Sequence, residues 1–255
     1  MTEIVLVRLP LAAGDEALFA LMASLPAEER QTVERLRRPD DRLRAATVRR
    51  LARRHASLRL GVAESSLRFG RTVQGRPFVH APSGVEADFN LSHHGAWAVL
   101  AWCATGRVGV DLACPADVTA PLAPAFVAAR EMTLVQTEAA EDVSLARLWA
   151  LKEAYLKLDG RGLLLDPRTL AFDPVAWRRR RYRLAAPSLP IRFSVRTLRD
   201  GMLLAVARED SAGPLRLTRL SWRALVLPDK AAVPARRPAR QPSDGADAWG
   251  PPRSR

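Results

Sequence analysis

The sequence predicts an α+β protein made of two similar, pseudo-symmetric subdomains, each a small antiparallel sheet with a long helix packed on it. One order of elements occurs twice: a strand, then helices of which the last is long, then a run of strands. The long helices lie near residues 50 and 150, and 48% hydrophobic residues in a chain of 255 suffice for two cores. We place the subdomains at 1–105 and 106–227, and a disordered basic tail at 228–255.

The first half opens with alternating apolar residues that predict a strand at 3–9, followed by helices at 15–24 and 27–37. A longer helix at 40–60 carries an apolar stripe and several arginines, and Gly61 ends it. Short runs bounded by turn residues predict the strands that follow: 67–70, 77–80, 87–92 and 96–103.

The second half repeats this order of elements. A strand at 107–112 is followed by a helical segment at 121–137 and a long helix at 142–159. Five further strands are predicted after that helix: 168–172, 181–185, 191–197, 202–208 and 215–225.

The formal net charge of +13, with an isoelectric point near 11.2, indicates anionic partners such as nucleic acid, phosphate-rich ligands, acidic proteins or anionic membrane. No apolar run reaches the length of a membrane span, and the N-terminus lacks a signal-peptide layout. Two cysteines, Cys103 and Cys114, form neither a disulfide framework nor a metal-ligand spacing. We therefore expect a cytoplasmic protein with free thiols.

Lysine is rare in this chain. Of 40 Lys+Arg residues only three are lysine, and two of them, Lys152 and Lys157, lie five residues apart at the end of the second long helix. Glu153 precedes Lys157 by four residues, so the two can form an i,i+4 pair. Two interpretations stay open: a solvated surface pair, or chemistry that needs a compact ammonium rather than a planar guanidinium.

Three earlier segments also place polar side chains at strand ends or turns. Arg76 lies in Gly-Arg-Pro-Phe (75–78), which by itself is ordinary turn chemistry. Phe-Asn-Leu-Ser-His-His-Gly (89–95) offers an amide, a hydroxyl and an imidazole, which suit either one phosphate or a turn cap. Asp111 interrupts an apolar strand; if buried it needs a cation, and if at the strand end it can face water.

Taken in order, these motifs resemble the 4′-phosphopantetheinyl transferase superfamily, in its large two-subdomain, surfactin-synthetase-activating type. They read Gly-Arg-Pro, Phe-Asn-Leu-Ser-His, Gly-Val-Asp and Trp-x-x-Lys-Glu-Ala-x-x-Lys-x-x-Gly-x-Gly, and the resemblance covers about residues 40–165. It implies transfer of the 4′-phosphopantetheine group of coenzyme A to a serine of an apo acyl or peptidyl carrier protein, releasing adenosine 3′,5′-bisphosphate. The implied metal is Mg²⁺, with Mn²⁺ as an alternative, and the implied pathways are polyketide or nonribosomal peptide synthesis.

The resemblance also implies roles for residues at matching positions, with coenzyme A in a cleft between the halves. The coenzyme-binding residues would be Arg44, Arg71, Arg76, Asn90, Ser92 and His93. Asp111 and Glu153 would ligate the metal, and Glu153, Lys157 and Lys152 would be catalytic. Glu153 would accept the serine proton, Lys157 would stabilise charge on the β-phosphate, and Lys152 would help from the neighbouring side.

One position departs from the family pattern. A second carboxylate often follows two residues after the aspartate, where this chain has Ala113, and residues 111 and 113 of a strand share a face. Because Mg²⁺ readily keeps waters, we expect activity with weaker metal binding.

The alternatives are a catalytically weak homologue that binds coenzyme A and carrier, and a basic nucleic-acid-binding protein supported by the arginine run 178–181. We expect no nucleic-acid partner, and a monomer, since one chain supplies both halves.

Overall fold

The computed structural model describes residues 1–11, 14–136, 141–186 and 190–226, so the predicted tail at 228–255 lies outside the described residues. The strands are β1 (Thr2–Arg8), β2 (Arg68–Arg71), β3 (Pro77–Ala81), β4 (Asp88–His94), β5 (Trp97–Cys103), β6 (Val108–Ala113), β7 (Ala171–Phe172), β8 (Leu184–Ala186), β9 (Ile191–Thr197), β10 (Leu203–Glu209) and β11 (Leu215–Leu220). The helices are α1 (Gly14–Ala23), α2 (Ala27–Glu34), α3 (Pro39–Leu60), α4 (Met132–Gln136), α5 (Glu141–Asp159), α6 (Pro174–Arg178) and α7 (Trp222–Val226). None of the described helices is long and apolar enough to cross a membrane.

Two sheets pack face to face, and each carries one of the long helices on its outer face. The first sheet has the order β11-β1-β5-β4 and the second β6-β10-β9. Alternate residues of β1 and β5 pack against α3, whereas the residues between them, such as Ile4 and Val99, meet Val110 and Val206 of the second sheet. The remaining face of the second sheet, including Ala205, packs against α5. The mixed α+β class with small sheets is therefore confirmed.

The last strand corrects the predicted sheet arrangement. β11 runs parallel to β1, with Ile4 opposite Leu217, whereas the neighbouring pairs β1–β5 and β4–β5 are antiparallel. The first sheet is thus not purely antiparallel, and a strand predicted to belong to the second subdomain pairs with the first. The physical reason is that β1 would otherwise expose an edge of unpaired backbone N–H and C=O groups. The predicted strand 215–225 also ends at Leu220, before α7.

Three other segments differ from the prediction. The helical segment expected at 121–137 consists of 3₁₀ turns at 120–125 and 129–131 followed by the short α4, because Pro124 inside the first turn cannot donate a helix hydrogen bond; residue 137 lies outside the described residues. The strand expected at 168–172 is reduced to β7 after a 3₁₀ turn, and that expected at 181–185 is β8.

Gly109 lets α5 run unusually close to β6. A Cβ atom at this position would lie 1.9 Å from the carbonyl oxygen of Ala154 and 2.6 Å from the amide nitrogen of Leu158. Only glycine therefore permits this approach. The close contact brings the polar residues of α5 onto the face of β6 that holds Asp111.

Candidate active site

Alternate side chains of β4 bond to the backbone of β6, although the two strands belong to different sheets. The acceptor–donor pairs are Asp88–Val108 (2.8 Å), Asn90–Val110 (3.3 Å) and Ser92–Leu112 (3.3 Å). Residues two apart on a strand share a face, so these acceptors match successive amides on the free edge of β6. We call this set of bonds the β4–β6 seam. Asn90 and Ser92, which the resemblance assigns to phosphate binding, therefore also have a structural role in this seam.

The seam positions Asp111, which is 7% exposed on the face of β6 that α5 covers. Its Oδ1 accepts hydrogen bonds from Lys157 Nζ (2.6 Å) and Ser92 Oγ (2.9 Å). Glu153 lies one turn before Lys157 on α5; burial and then the charge of Asp111 raise the pKa of Glu153, while Lys157 opposes the rise. Asp111 and Glu153 therefore influence each other electrostatically, and Lys157 makes its ion pair with Asp111.

A cavity of about 440 Å³, which we call the basic cavity, opens beside Lys157. Its basic lining residues are Arg49, Arg71, Arg76, His93 and Lys157. Among the described residues that line it there is no carboxylate, so the charge inside is positive. Desolvation lowers the pKa of His93, and the positive charges of Arg44 and Lys157 lower it further. Such an environment favours an anionic ligand.

Arg76 lines the same cavity, and one nitrogen of its guanidinium is unpaired among the described residues. It is 8% exposed, and its Nη2 donates to Asp88 and to the carbonyl oxygen of Val108 (2.9 Å). Its Nη1 is buried with no hydrogen-bond partner among the described residues. Burial lowers the pKa of Arg76, and Asp88 opposes this shift. An arginine stays charged in proteins, and Arg76 lines the basic cavity, so its guanidinium adds positive charge that suits a phosphate.

The other predicted arginines occupy different places. Arg71 is exposed at the end of β2, lines the basic cavity and donates to the carbonyl oxygen of Gly75 (2.8 Å). Arg44 lies outside the lining, where it bonds to Asp41 (2.7 Å) and to the carbonyl oxygen of Gly95 (3.2 Å). Arg49, which the sequence interpretation did not select, does line the cavity. Both belong to an arginine-rich helix, and only packing shows which of them faces the cavity.

The structure does not bring Lys152 to this site, so its catalytic role stays a prediction that this geometry does not favour. Lys152 is fully buried, and its Nζ donates to Glu131 (2.6 Å) and to the carbonyl oxygens of Phe126 (2.6 Å) and Pro167 (3.0 Å). Burial lowers the pKa of Lys152, and Glu131 opposes this. Each residue of a helix adds a rotation of about 100°. Lys152 and Lys157, five residues apart, therefore point in directions that differ by roughly 140°. Lys152 therefore holds the segments around residues 126, 131 and 167 against α5.

Glu131 is a structural residue that the sequence interpretation missed. It is fully buried and also accepts hydrogen bonds from the backbone amides of Ala128 (2.9 Å) and Phe172 (2.8 Å). No local signal marks it, since its partner Lys152 is 21 residues away in the chain.

The donor set of Asp111 and Glu153 fits a divalent cation. Burial raises the pKa of Glu153 most, and the charge of Asp111 adds to the rise; a cation held by both carboxylates would offset both effects. Carboxylate oxygens are the ligands Mg²⁺ uses, together with waters and substrate phosphates. Ala113, buried on the same face of β6, offers no ligand, so the remaining positions would fall to water and phosphate.

Comparison with known proteins identifies the family. A model described as "4'-phosphopantetheinyl transferase, N-terminal" matches residues 13–105, and one described as "4'-phosphopantetheinyl transferase superfamily" matches 107–207. The 4′-phosphopantetheinyl transferase HetI of Nostoc sp. is 32% identical over 180 residues, which are 68% of this chain and 75% of HetI. The phosphopantetheinyl transferase of Thraustochytrium sp. is 34% identical over 167 residues, which are 60% of this chain and 58% of the Thraustochytrium protein. This chain belongs to the 4′-phosphopantetheinyl transferase superfamily.

Within the superfamily, the chain is of the large surfactin-synthetase-activating type. It is 26% identical to the 4′-phosphopantetheinyl transferase Sfp of Bacillus subtilis over 158 residues, 61% of this chain and 68% of Sfp. A solved holo-[acyl-carrier-protein] synthase from Thermotoga maritima aligns with a TM-score of 0.31 and 21% identity over 40% of this chain and 62% of its own, a likeness too slight to carry an argument.

Proposed function

We propose that this chain transfers the 4′-phosphopantetheine group of coenzyme A to a serine of an apo acyl or peptidyl carrier protein, using Mg²⁺ and releasing adenosine 3′,5′-bisphosphate. The observation that carries the proposal is that Lys157, which lines a cavity of basic side chains, also donates a hydrogen bond to Asp111 (2.6 Å), with Glu153 one helical turn before it. Membership of the transferase family supports the same reaction.

The basic cavity is the proposed site for the adenosine bisphosphate part of coenzyme A. Arg76, Arg71 and Arg49 would supply the positive charge that binds its phosphates. Lys157 lines the same cavity and contacts Asp111, so it connects the phosphate region to the carboxylate pair. The pyrophosphate would therefore lie at this junction.

A second cavity of about 270 Å³ lies further along α5 and suits the pantetheine arm. Trp149, Glu153 and Lys157 are spaced four apart and share one face of α5. Trp149 lines the second cavity with the apolar residues Phe126 and Leu112. With the pyrophosphate at Glu153 and Lys157, the adenosine part would extend to one side and the arm to the other.

Glu153, Lys157 and Ser92 have separate roles in the proposed reaction. Glu153, whose raised pKa makes it a better proton acceptor than an exposed carboxylate, would take the proton of the attacking serine. Lys157 would move its ammonium from Asp111 to the phosphate oxygens, where negative charge increases in the transition state. Ser92 keeps Asp111 oriented through the β4–β6 seam. A bound divalent cation would supply positive charge that offsets the negative charge developing on the leaving adenosine 3′,5′-bisphosphate.

The finer architecture is part of this proposal. Two pseudo-symmetric subdomains, 1–105 and 106–227, are supported by the repeated helix-on-sheet layering and by family matches that meet at residue 106, although β11 crosses to the first sheet. A monomer is proposed because one chain supplies both halves of the family pattern. We also propose a cytoplasmic location and an acidic carrier, whose encounter the net charge of +13 would speed at low salt.

The test is incubation with an apo carrier protein, coenzyme A and Mg²⁺, followed by mass spectrometry of the carrier. We expect the mass of one phosphopantetheine arm to be added. Asp111→Asn and Glu153→Gln should each abolish transfer, whereas Glu141→Gln, an exposed change on the same helix, should not. Coenzyme A binding without transfer by the wild type would favour the catalytically weak homologue that Ala113 suggests, and neither binding nor transfer would contradict the proposal.

A further inference from the structure

His94, Cys114 and Asp117 form the only group of three metal-type side chains that lie close together among the residues the structure describes. One nitrogen, one sulfur and one oxygen atom from them all lie within 4.8 Å of one another. His94 Nε2 and Asp117 Oδ2 are 2.7 Å apart. We propose that these side chains bind one Zn²⁺ ion, at a site distinct from the Asp111–Glu153 pair.

The fold holds the backbone of this group in place. His94 is the last residue of β4, Cys114 directly follows β6, and Asp117 lies in the 3₁₀ turn at 115–117. The β4–β6 seam joins the two strands two residues before His94 and Cys114, through the bond from the Leu112 amide to Ser92 Oγ. The site is therefore built on strand ends rather than on a long loop.

Bond lengths of zinc sites match the observed spacing. Zinc lies about 2.0–2.3 Å from N, O and S ligands, so ligand atoms of a tetrahedral site are roughly 3.3–3.6 Å apart. The His94–Asp117 pair would open by about half an ångström and the Cys114 sulfur would move in by about 1.5 Å at most. His94 and Asp117 can rotate, since their side chains are 36% and 60% exposed. A water would complete the four ligands.

The donor atoms of this site favour Zn²⁺ over Mg²⁺. A thiolate and an imidazole are ligands for zinc, whereas Mg²⁺ prefers oxygen atoms only. The other thiol, Cys103, is fully buried and lies 2.6 Å from the carbonyl oxygen of Thr105. Cys114 is partly exposed and is the thiol within reach of an ion.

The position of the site gives it a consequence for the reaction. His94, Cys114 and Asp117 all line the second cavity, opposite Phe126 and Trp149. An ion with its water would occupy one end of a space of about 270 Å³. Zinc should therefore slow transfer by excluding the pantetheine arm, and this consequence rests on the proposed function.

Cobalt titration of the full chain tests the site without an activity assay, because Co²⁺ bound to a thiolate gives a charge-transfer band in the near ultraviolet. We expect a band that saturates at one Co²⁺ per chain and that is displaced by Zn²⁺ but not by excess Mg²⁺. Cys114→Ser should lose the band, whereas Cys103→Ala and Asp111→Asn should keep it. A wild type without the band, or a band lost in Cys103→Ala but not in Cys114→Ser, would overturn the site.

A second variant covers the case in which Cys114→Ser folds poorly. Asp117→Asn changes an exposed side chain, and it should weaken Co²⁺ binding by roughly tenfold or more, since losing even an outer-sphere partner has that effect. Zinc should also inhibit its carrier modification less than that of the wild type, each measured against its own zinc-free rate. A cobalt band with transfer insensitive to zinc would refute the inhibitory role alone. A cobalt band in a wild type that never modifies a carrier would refute the proposed function and leave the metal site standing.

Discussion

Gly109→Ala is expected to push helix α5 away from strand β6 and so to separate the carboxylate pair. The new Cβ would lie 1.9 Å from the carbonyl oxygen of Ala154 and 2.6 Å from the amide nitrogen of Leu158, and both are backbone atoms. Because backbone atoms cannot rotate aside, the helix must retreat by about 1 Å to reach a tolerable contact. Asp111 follows Gly109 on the same face of β6, and Glu153 adjoins Ala154, so the shift falls on the proposed metal ligands.

Two effects of different size should result. Overpacking of this kind typically lowers the free energy of unfolding by about 1–3 kcal/mol. Displacing catalytic groups by about 1 Å can lower turnover about a hundredfold. We therefore expect a variant that still folds at room temperature but needs more Mg²⁺ and modifies the carrier far more slowly.

Urea denaturation measures the first effect, and carrier modification at a series of Mg²⁺ concentrations measures the second. Gly201→Ala is the matched control: Gly201 has a φ of +83°, and a Cβ added there would meet no neighbouring atom within 4 Å, so the variant loses stability through backbone strain without moving α5. Its turnover per folded molecule should equal that of the wild type. Wild-type turnover and Mg²⁺ dependence in Gly109→Ala would refute the argument that the close approach sets the site.

Three further predictions concern other charged groups. Lys152→Met should lower the free energy of unfolding by about 3–5 kcal/mol in urea denaturation, because it leaves the Glu131 carboxylate buried without a cation; a stable variant without transfer would instead support a catalytic lysine. Lys157→Arg keeps the charge, but a planar guanidinium cannot fill the place of an ammonium 2.6 Å from Asp111, so most turnover in the carrier assay should be lost, and near-normal turnover would contradict the assigned role. Burial lowers the pKa of His55 to about 4, so the unfolded chain, with a pKa near about 6.5, binds a proton before the folded one does. The contribution of neutral His55 to the free energy of unfolding should therefore be fully present above pH about 6.5 and decrease as the pH drops toward 4. His55→Gln should reduce this dependence of the unfolding free energy on pH, measured from denaturation curves. An unchanged pH dependence would contradict the lowered pKa of His55.

The sequence predicted the elements with strong periodicity better than those without it. The helix expected at 40–60 is α3, and the strands at 96–103 and 191–197 are β5 and β9. The segment 121–137 was misjudged because its apolar residues follow a helical spacing, while its prolines break the hydrogen-bond pattern. The pairing of β11 with β1 joins residues more than 200 positions apart, and no local pattern records it.

By itself, the sequence determined the family and the chemical groups available to it: two carboxylates, a pair of lysines and a set of basic residues in a recognisable order. Only the tertiary structure decided which of these groups meet. Each helical residue turns by about 100°, so packing against β6 brings Lys157 to Asp111 and turns Lys152 into the core. The same rotation along α3 places Arg49 in the wall of the basic cavity and Arg44 outside it, a choice set by how the helix lies on its sheet.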